Sequence, residues 1–513
     1  MKAYLQFNFR LCVLGMCLFS WTFAQAQTAT EAWVRRYNDP PAGADNRGDR
    51  PYAIAVDHSS GNVIVAGEGN SDYVTIAYSE AGMALWTNRY DGPGNNIDRV
   101  IAVAVDARGN VVVTGGSQGD GSNTDYATIA YSASGVPLWT NRYNGLLGNG
   151  VDRARAVGVD RSGNVFVTGY SEVTDTDTEY VTIAYSPAGM ALWTNHHNAG
   201  ENSQDWPYAL ALDRNGNVFV TGGDTIAYSG AGVALWTNRY PAGHATDVAV
   251  DHQGNVFVTG SSSDFVTLAY SPAGTPLWTN RYDGPANGQD LAQAIAVDQS
   301  GNVFVTGYSV GIGSSSDYAT IAYSGAGVAL WTNRYNGPAN GADSATSIAA
   351  DRDGNVFVTG LSGSWPSSDY ATIAYSAGGV ALWTNYYNGP ANGPDIPMAE
   401  SWIPGSWLAI GRDGAVYVTG SSDGDYSDFT AYDYATVKYV WRPHLAIEPL
   451  APGSSTVNLS LSAPTNSSWS IQRALTPAGP WTDLRSSLTG PNGSASFTDP
   501  NPTANGAFYR VAP

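Results

Sequence analysis

One unit of sequence recurs along most of this 513-residue chain, and that recurrence limits the folds open to it more than any other property. Its fullest copy, Ala294 to Gly341, reads AIAVDQSGNVFVTGYSVGIGSSSDYATIAYSGAGVALWTNRYNGPANG. A period of roughly 40 to 50 residues marks stacked supersecondary units, since one unit cannot bury its apolar surface alone. The Gly of the GNV element falls at Gly61, Gly109, Gly163, Gly216, Gly254, Gly301 and Gly354, with a GAV variant at Gly414. A Trp element is also found eight times, at Trp33, Trp86, Trp139, Trp193, Trp236, Trp278, Trp331 and Trp383.

Each unit divides into four short apolar or alternating segments, AIAVD, NVFVTG, DYATIAYS and ALWTNRY, which read as strands. Asp-x-x-Gly-Asn joins the first pair and Ser-x-Ala-Gly the second. Both turns are rich in residues that tolerate left-handed backbone, so neighbouring strands should pair antiparallel. The expected fold is all-β, an eight-bladed β-propeller with four-stranded blades. The chain order also says how the ring closes. The first segment, Glu31 to Tyr37, is a Trp strand with no partners of its own, and the last unit (strands near Trp407 to Ile410, Val416 to Gly420 and Asp433 to Tyr439) lacks one. Residues 31–37 should therefore complete blade eight and remove the exposed edges that an open ring would leave.

The segments VDQSGNVFVTGYS (Val297 to Ser309) and SSDYATIAYS (Ser315 to Ser324) resemble the bacterial β-propeller repeat called SBBP. The AGVALW element, Ala326 to Trp331, is also similar to quinoprotein-type propeller repeats. The resemblance spans about residues 31 to 440 and implies an exported propeller without implying an activity, because a fold alone does not fix chemistry. After Arg442-Pro443 the repeat stops, and VNLSLSA, WSIQRA, WTDLRS, ASFTD and FYRVA read as strands of a small β-sandwich. That segment looks like fibronectin-III-like or immunoglobulin-like modules. The expected organisation is a signal peptide at 1–26, a propeller at 27–442 and a C-terminal β-sandwich at 443–513.

The signal peptide is read from Lys2 and Arg10, the apolar run Leu11 to Ala24, and Ala24-Gln25-Ala26, with cleavage after Ala26. That run is too short to span a bilayer, and no later stretch approaches the roughly 20 apolar residues needed. Without the leader, 22 basic residues face 44 acidic ones, a formal charge of −22, which argues against nucleic acid or anionic lipid as partner. Both cysteines, Cys12 and Cys17, lie in the leader, so no disulfide would staple the exported protein. A monomer in the extracellular, cell-surface or periplasmic space is expected.

With the first strand innermost, the interblade loops and the loops joining strands two and three share one face. Acids gather there in two near-rings: Asp49, Asp98, Asp152, Asp205, Asp290 and Asp343, and then Asp72, Asp125, Glu179, Asp264, Asp317, Asp369 and Asp433. Three loops are denser in oxygen ligands: Asp120, Asn123 and Asp125; Glu172, Asp175, Asp177 and Glu179; and Asp423, Asp425 and Asp428. A hard cation such as Ca²⁺ takes several such ligands, although Asp also caps turns. The turn acids Asp57, Asp106, Asp160, Asp213, Asp251, Asp298 and Asp351 are read as structural, and the repeated Trp as interblade packing. Trp206, Trp365 and Trp402 occur once each in rim loops and are the candidates for ligand contact. No nucleophile elbow, phosphate loop or histidine metal pattern is present. The resulting expectation is an exported, non-enzymatic scaffold or adhesion protein whose acidic loop face binds Ca²⁺, glycan or protein. The alternative is a polysaccharide-active or quinoprotein-like propeller enzyme.

Overall fold

A computed structural model describes residues 29–38, 48–121, 123–174, 176–200, 205–241, 243–338, 340–363, 368–390, 393–396, 406–423 and 432–441. Beyond these it describes the strands at 444–447, 457–462, 470–474, 482–485, 494–499 and 508–512. The leader, Trp365, Trp402, Asp175, Asp425 and Asp428 lie outside the described residues.

The repeat folds as eight antiparallel sheets. Blade 1 runs Arg50–Val56, Val63–Gly69, Asp72–Tyr78 and Ala84–Tyr90. Blades 2 to 7 follow at 98–143, 152–197, 209–239, 244–282, 290–335 and 344–387, each with its four strands in chain order. The first strands face the axis: a cavity of about 230 Å³ is lined by residues of the first strand, or of the segment leading into it, from every blade.

Blade 8 closes as its composition requires. Val416–Asp423 pairs with both Asp395–Ile396 and Leu408–Ile410 on one side and with Tyr432–Trp441 on the other. Tyr432–Trp441 then takes Ala29–Tyr37 as its outer partner, with Val34 opposite Val437 and Tyr37 opposite Tyr434. Trp33 enters the apolar seam between blades 8 and 1 beside Ile54, Val65, Ile76 and Tyr417.

The repeated Trp joins blades. Trp33, Trp86 and Trp139 each donate their indole N–H to a carbonyl in the next blade's turn between strands three and four, at Glu80, Ala133 and Pro187, all at 3.1 Å. Each such bond contributes about 1 kcal/mol net. Gly135 is required at that turn on two counts. Its φ is 83°, and a Cβ would lie 2.6 Å from the Trp86 ring. At the closure the chain has no such turn, since blade 8's outer strand comes from the other end. Trp383 is accordingly buried with an indole nitrogen that has no partner among the described residues.

The turn acids are structural, as their spacing implies. Asp106 accepts the backbone N–H groups of Arg108 and Asn110 and the Asn110 side-chain amide, each at 2.8 Å. Inside the blades, strands two and three carry facing threonines, as with Thr114 and Thr128, whose hydroxyls lie 2.9 Å apart. Blade 1 departs from this. Ala66 stands opposite Thr75, and the buried Thr75 hydroxyl has no partner among the described residues. Ala66→Thr should restore the pair seen in the other blades and add about 1 kcal/mol. A thermal melt should move up by roughly 1–2 °C, and a fall would show that the site is too tight for the extra atoms.

One expectation needs correction. The structure supports the propeller, with the amino-terminal strand closing the last blade, and no separate fibronectin-III-like or immunoglobulin-like sandwich. After residue 443 the described strands form two three-stranded sheets, in the orders His444–Ile447, Val457–Ser462, Ser494–Asp499 and Thr482–Arg485, Ser470–Ala474, Phe508–Ala512. An immunoglobulin-type module has seven strands or more over a shared core. The two three-stranded sheets, in those orders, do not reproduce that strand arrangement. Turn-rich alternation after Pro443 was enough to indicate strands but not the module. Among the described residues no helix is long and apolar enough to cross a membrane.

Candidate functional site: the axial mouth and its acidic rim

Both acid rings lie on the expected face, but most of their carboxylates hold the ring together. The interblade acids are buried, and those of blades 2 to 4 and 6 to 8 close a loop. Asp152 accepts the Gly145 N–H at 2.7 Å, Asp205 that of Ala199 at 2.6 Å, Asp290 that of Gly284 at 2.6 Å and Asp343 that of Gly337 at 2.7 Å. Asp395 does the same for Gly389 in blade 8. Its position escaped the sequence reading because the spacing to the next turn is longer there. Burial disfavours the charged form. It pushes Asp152 and Asp395 up to about 6 and Asp49 up to about 7.

Members of the second ring pair with the residue at the Arg place of the ALWTNRY strand. Asp125 meets Arg142 at 2.8 Å, Asp317 meets Arg334 at 2.7 Å, Asp433 meets Arg36 at 2.9 Å and Glu179 meets His196 at 2.7 Å. Arg142 also donates to the Ser117 carbonyl at 2.8 Å and to the Tyr90 hydroxyl of the preceding blade at 3.2 Å, so each Arg also joins neighbouring blades. The shortened blade 4 supplies Asp224, which pairs across blades with His197 at 2.9 Å. The adjacent histidines thus serve different acids, as side chains on opposite faces of a strand must.

Among the described residues, no three carboxylates of any one loop read as a Ca²⁺ candidate converge. Asp125 faces Arg142 and Glu179 faces His196, Glu172 accepts the Val151 N–H at 2.7 Å, and Asp177 accepts from Asn198 at 3.0 Å. Asn123 bonds the following backbone N–H at 3.1 Å, and Asp120 is exposed. Asp423 ends the second strand of blade 8. Among the described residues the carboxylates that do converge are Asp72, Asp91 and Asp98 where blade 1 meets blade 2 and Asp264, Asp283 and Asp290 where blade 5 meets blade 6, each trio with oxygens within 4.8 Å of one another. Both arise where the interblade loop begins Asp-Gly-Pro instead of Asn-Gly-Pro, a difference visible in the sequence. Burial and the nearby Asp91 and Asp98 outweigh the 2.7 Å Arg89 pair and push Asp72 up to about 7.

Trp206 is half-buried and lies at 6.0 Å from Tyr170. With Tyr170 and Tyr208 it surrounds the Arg155 guanidinium, at 5.9, 5.3 and 5.4 Å from the three rings. That arrangement occupies the indole face that a ligand would use. Desolvation draws the Arg155 pKa downward.

Neighbouring blades differ at an inward position of the first strand. A bulge opens the first strand between Val100 and Ala102, between Ala154 and Ala156, and at equivalent places elsewhere. The residue at that place lies five before the turn acid, or before Gly411 in blade 8. In blade order it is Tyr52, Ile101, Arg155, Tyr208, Thr246, Gln293, Thr346 and Ser406. Ile101, Arg155, Tyr208, Gln293, Thr346 and Ser406 line the axial cavity. The next position is Ala in five blades but Asp247, Ser347 and Trp407 in the others. Apolar and aromatic groups therefore gather in blades 8, 1 and 2, where Tyr52, Ile101 and Trp407 cluster. Arg155 stands in blade 3, and polar groups occupy blades 5 to 7. Asp247, pushed up to about 7 by burial, accepts the N–H groups of Val248 and Ile295 at 2.8 and 2.9 Å. Bulges commonly re-aim a side chain near functional sites.

Comparison with known proteins agrees with this architecture. The β-propeller repeat model SBBP matches residues 199–222, 284–313 and 331–364. No curated protein matches the chain. The fold is similar to the C-terminal WD40 domain of Sif2, at 11% identity and a TM-score of 0.51 over 81% of this chain and 99% of that one. A protein of unknown function from Bacteroides caccae is similar at 12% identity and a TM-score of 0.34, over 53% of this chain and 93% of that one. At these identities the likeness is one of fold, and the fold it shares is a β-propeller.

Proposed function

We propose that the chain is an exported, non-enzymatic β-propeller scaffold that binds an extracellular protein or glycan at the axial mouth of its loop face. The observation that carries this reading is the contrast between blades that are nearly identical in their turns and outer strands and a mouth where neighbouring blades present different side chains. Repetition of the rim serves closure of the ring. Variation at one inward position builds an asymmetric surface with aromatic, cationic and hydroxyl sectors, as recognition of a single partner requires. Export rests on the tripartite leader. The test is a binding screen against extracellular glycans and proteins, run beside an activity screen on polysaccharides. A variant combining Gln293→Arg and Thr346→Arg, which fills the mouth, should lose at least tenfold in affinity with an unchanged melt. Turnover of any substrate, or binding indifferent to the mouth variant, would overturn the reading.

A further inference from the structure

The protein is strongly acidic, and its rim repeats carboxylates in every blade, yet one cleft on that rim is cationic. It lies between blades 2 and 3, has a volume of about 290 Å³, and shares Ile101 and Arg155 with the axial cavity. Arg99, Arg153 and Arg155 line it, and none of its described lining residues is acidic. Glu68 pairs with Arg99 at 2.9 Å from the blade 1 side and offsets one charge. Arg153 is exposed, and Arg155 is held in place by three aromatic rings.

The cleft exists because of one glycine. Gly116 occupies the second-strand place that Tyr170 fills in blade 3 and Tyr308 in blade 6, as the strand registers show. Even a Cβ at Gly116 would come within 2.6 Å of Thr124 and 3.3 Å of Arg153. Blade 2 alone reads VTGGS where those two blades read VTGYS. Arginine also follows the rim acid only in blades 1 to 3, at Arg50, Arg99 and Arg153, so the room and the charge coincide at one place in the ring.

We propose that this cleft binds a small organic anion of the sugar-acid class, whose carboxylate is held by the guanidinium groups and whose hydroxyls meet Gln118 and Thr124. Guanidinium forks match carboxylates in geometry as well as charge. The volume is at the lower end of ligand pockets, which fits one sugar ring with Ile101 beneath its apolar face. This site deepens the scaffold reading above by naming a ligand class for one sector of the mouth.

The test is calorimetric titration of the full exported chain with glucuronate, with neutral glucose as control and a hexuronate trimer as a third arm. Glucuronate should bind at sub-millimolar to millimolar concentration, weaken with added salt, and exceed glucose at least tenfold. A tighter trimer would identify the end of a polymer as the source, and equal affinities a free acid. Arg153→Glu, at an exposed position, should weaken binding at least tenfold. Gly116→Tyr, which installs the residue found in blades 3 and 6, should abolish it with the melt retained. If Gly116→Tyr fails to fold, the Arg153→Glu result decides. No heat with glucuronate, glucose bound equally well, or Arg153→Glu binding like the parent overturns the site. The mouth variant carrying Gln293→Arg and Thr346→Arg reads the scaffold proposal separately, since neither residue lines this cleft.

Discussion

Removal of the chain up to residue 38 should convert a cooperatively melting ring into an aggregating one, with the midpoint lowered by about 10 °C or more. The outer strand Ala29–Tyr37 makes its whole ladder with Tyr432–Trp441, and nothing else in the described structure covers that edge. Its loss strips three kinds of support together. The backbone groups of Tyr432–Trp441 become an unpaired edge, a template for pairing with other chains. Trp33, only 9% exposed, leaves the seam between blades 8 and 1, and truncating a buried Trp alone costs about 3–5 kcal/mol. Arg36 leaves Asp433, 2.9 Å away, and the Tyr387 hydroxyl at 3.2 Å, exposing an acid that is buried in the closed ring. A synthetic peptide of residues 28–38 should restore the melt in proportion to its concentration, because a segment that binds only the folded ring stabilises it by mass action. A truncated protein that melts like its parent would show that the ring does not depend on this closure.

That closure was legible in the sequence because the repeat is nearly exact: an orphan Trp strand at one end and a missing one at the other admit few other assemblies. The roles of the repeated Trp and of the turn acids were legible for the same reason, since each has a local mechanism that a short motif encodes. The site was harder to see. Carboxylates on one rim suggested cation binding, but burial and pairing depend on what the neighbouring blade supplies, as when Arg142 reaches Tyr90, and no single repeat contains that information. Trp206 stood out as a single-copy aromatic, yet its face is taken by Arg155, a residue some fifty positions away in sequence and 5.9 Å away in space. The signal that would have located the mouth was present as variation within repetition: the residue five before each turn acid changes from blade to blade while its surroundings do not. Gly116 was equally visible, standing where blades 3 and 6 carry Tyr170 and Tyr308. Its meaning needed the strand register, because an absent side chain matters only where its neighbours leave the space empty.

The interblade acids that close the loops give the ring an unusual pH dependence. An ordinary aspartate titrates near 3.9 when unfolded. In the folded ring burial pushes Asp152 and Asp395 up to about 6, and Asp49 and Asp247 up to about 7. Between roughly pH 4 and 7 the native state therefore holds protons that the unfolded chain has released, so stability must fall as pH rises through that window. Asp57 and Asp413 act in the opposite sense, held below the ordinary value by hydrogen bonds and, for Asp413, by Lys438. Their contribution is present above the unfolded value and disappears only in stronger acid. The two trends meet near pH 4 to 5, where the melting temperature should peak, several degrees above its value at pH 8. Asp247 isolates the effect, since its carboxylate lines the axial channel and, among the described residues, accepts from backbone N–H groups at 2.8 and 2.9 Å without an ion pair. Asp247→Asn should flatten the slope between pH 5 and 8 by removing one of the titrating groups, and it should melt no lower than the parent at pH 8. Melting curves across that range decide the matter: a parent protein whose midpoint is flat or rises from pH 5 to 8 would mean that these acids remain charged in the folded ring and that the loops, with their carboxylate staples, open to water more than their burial implies.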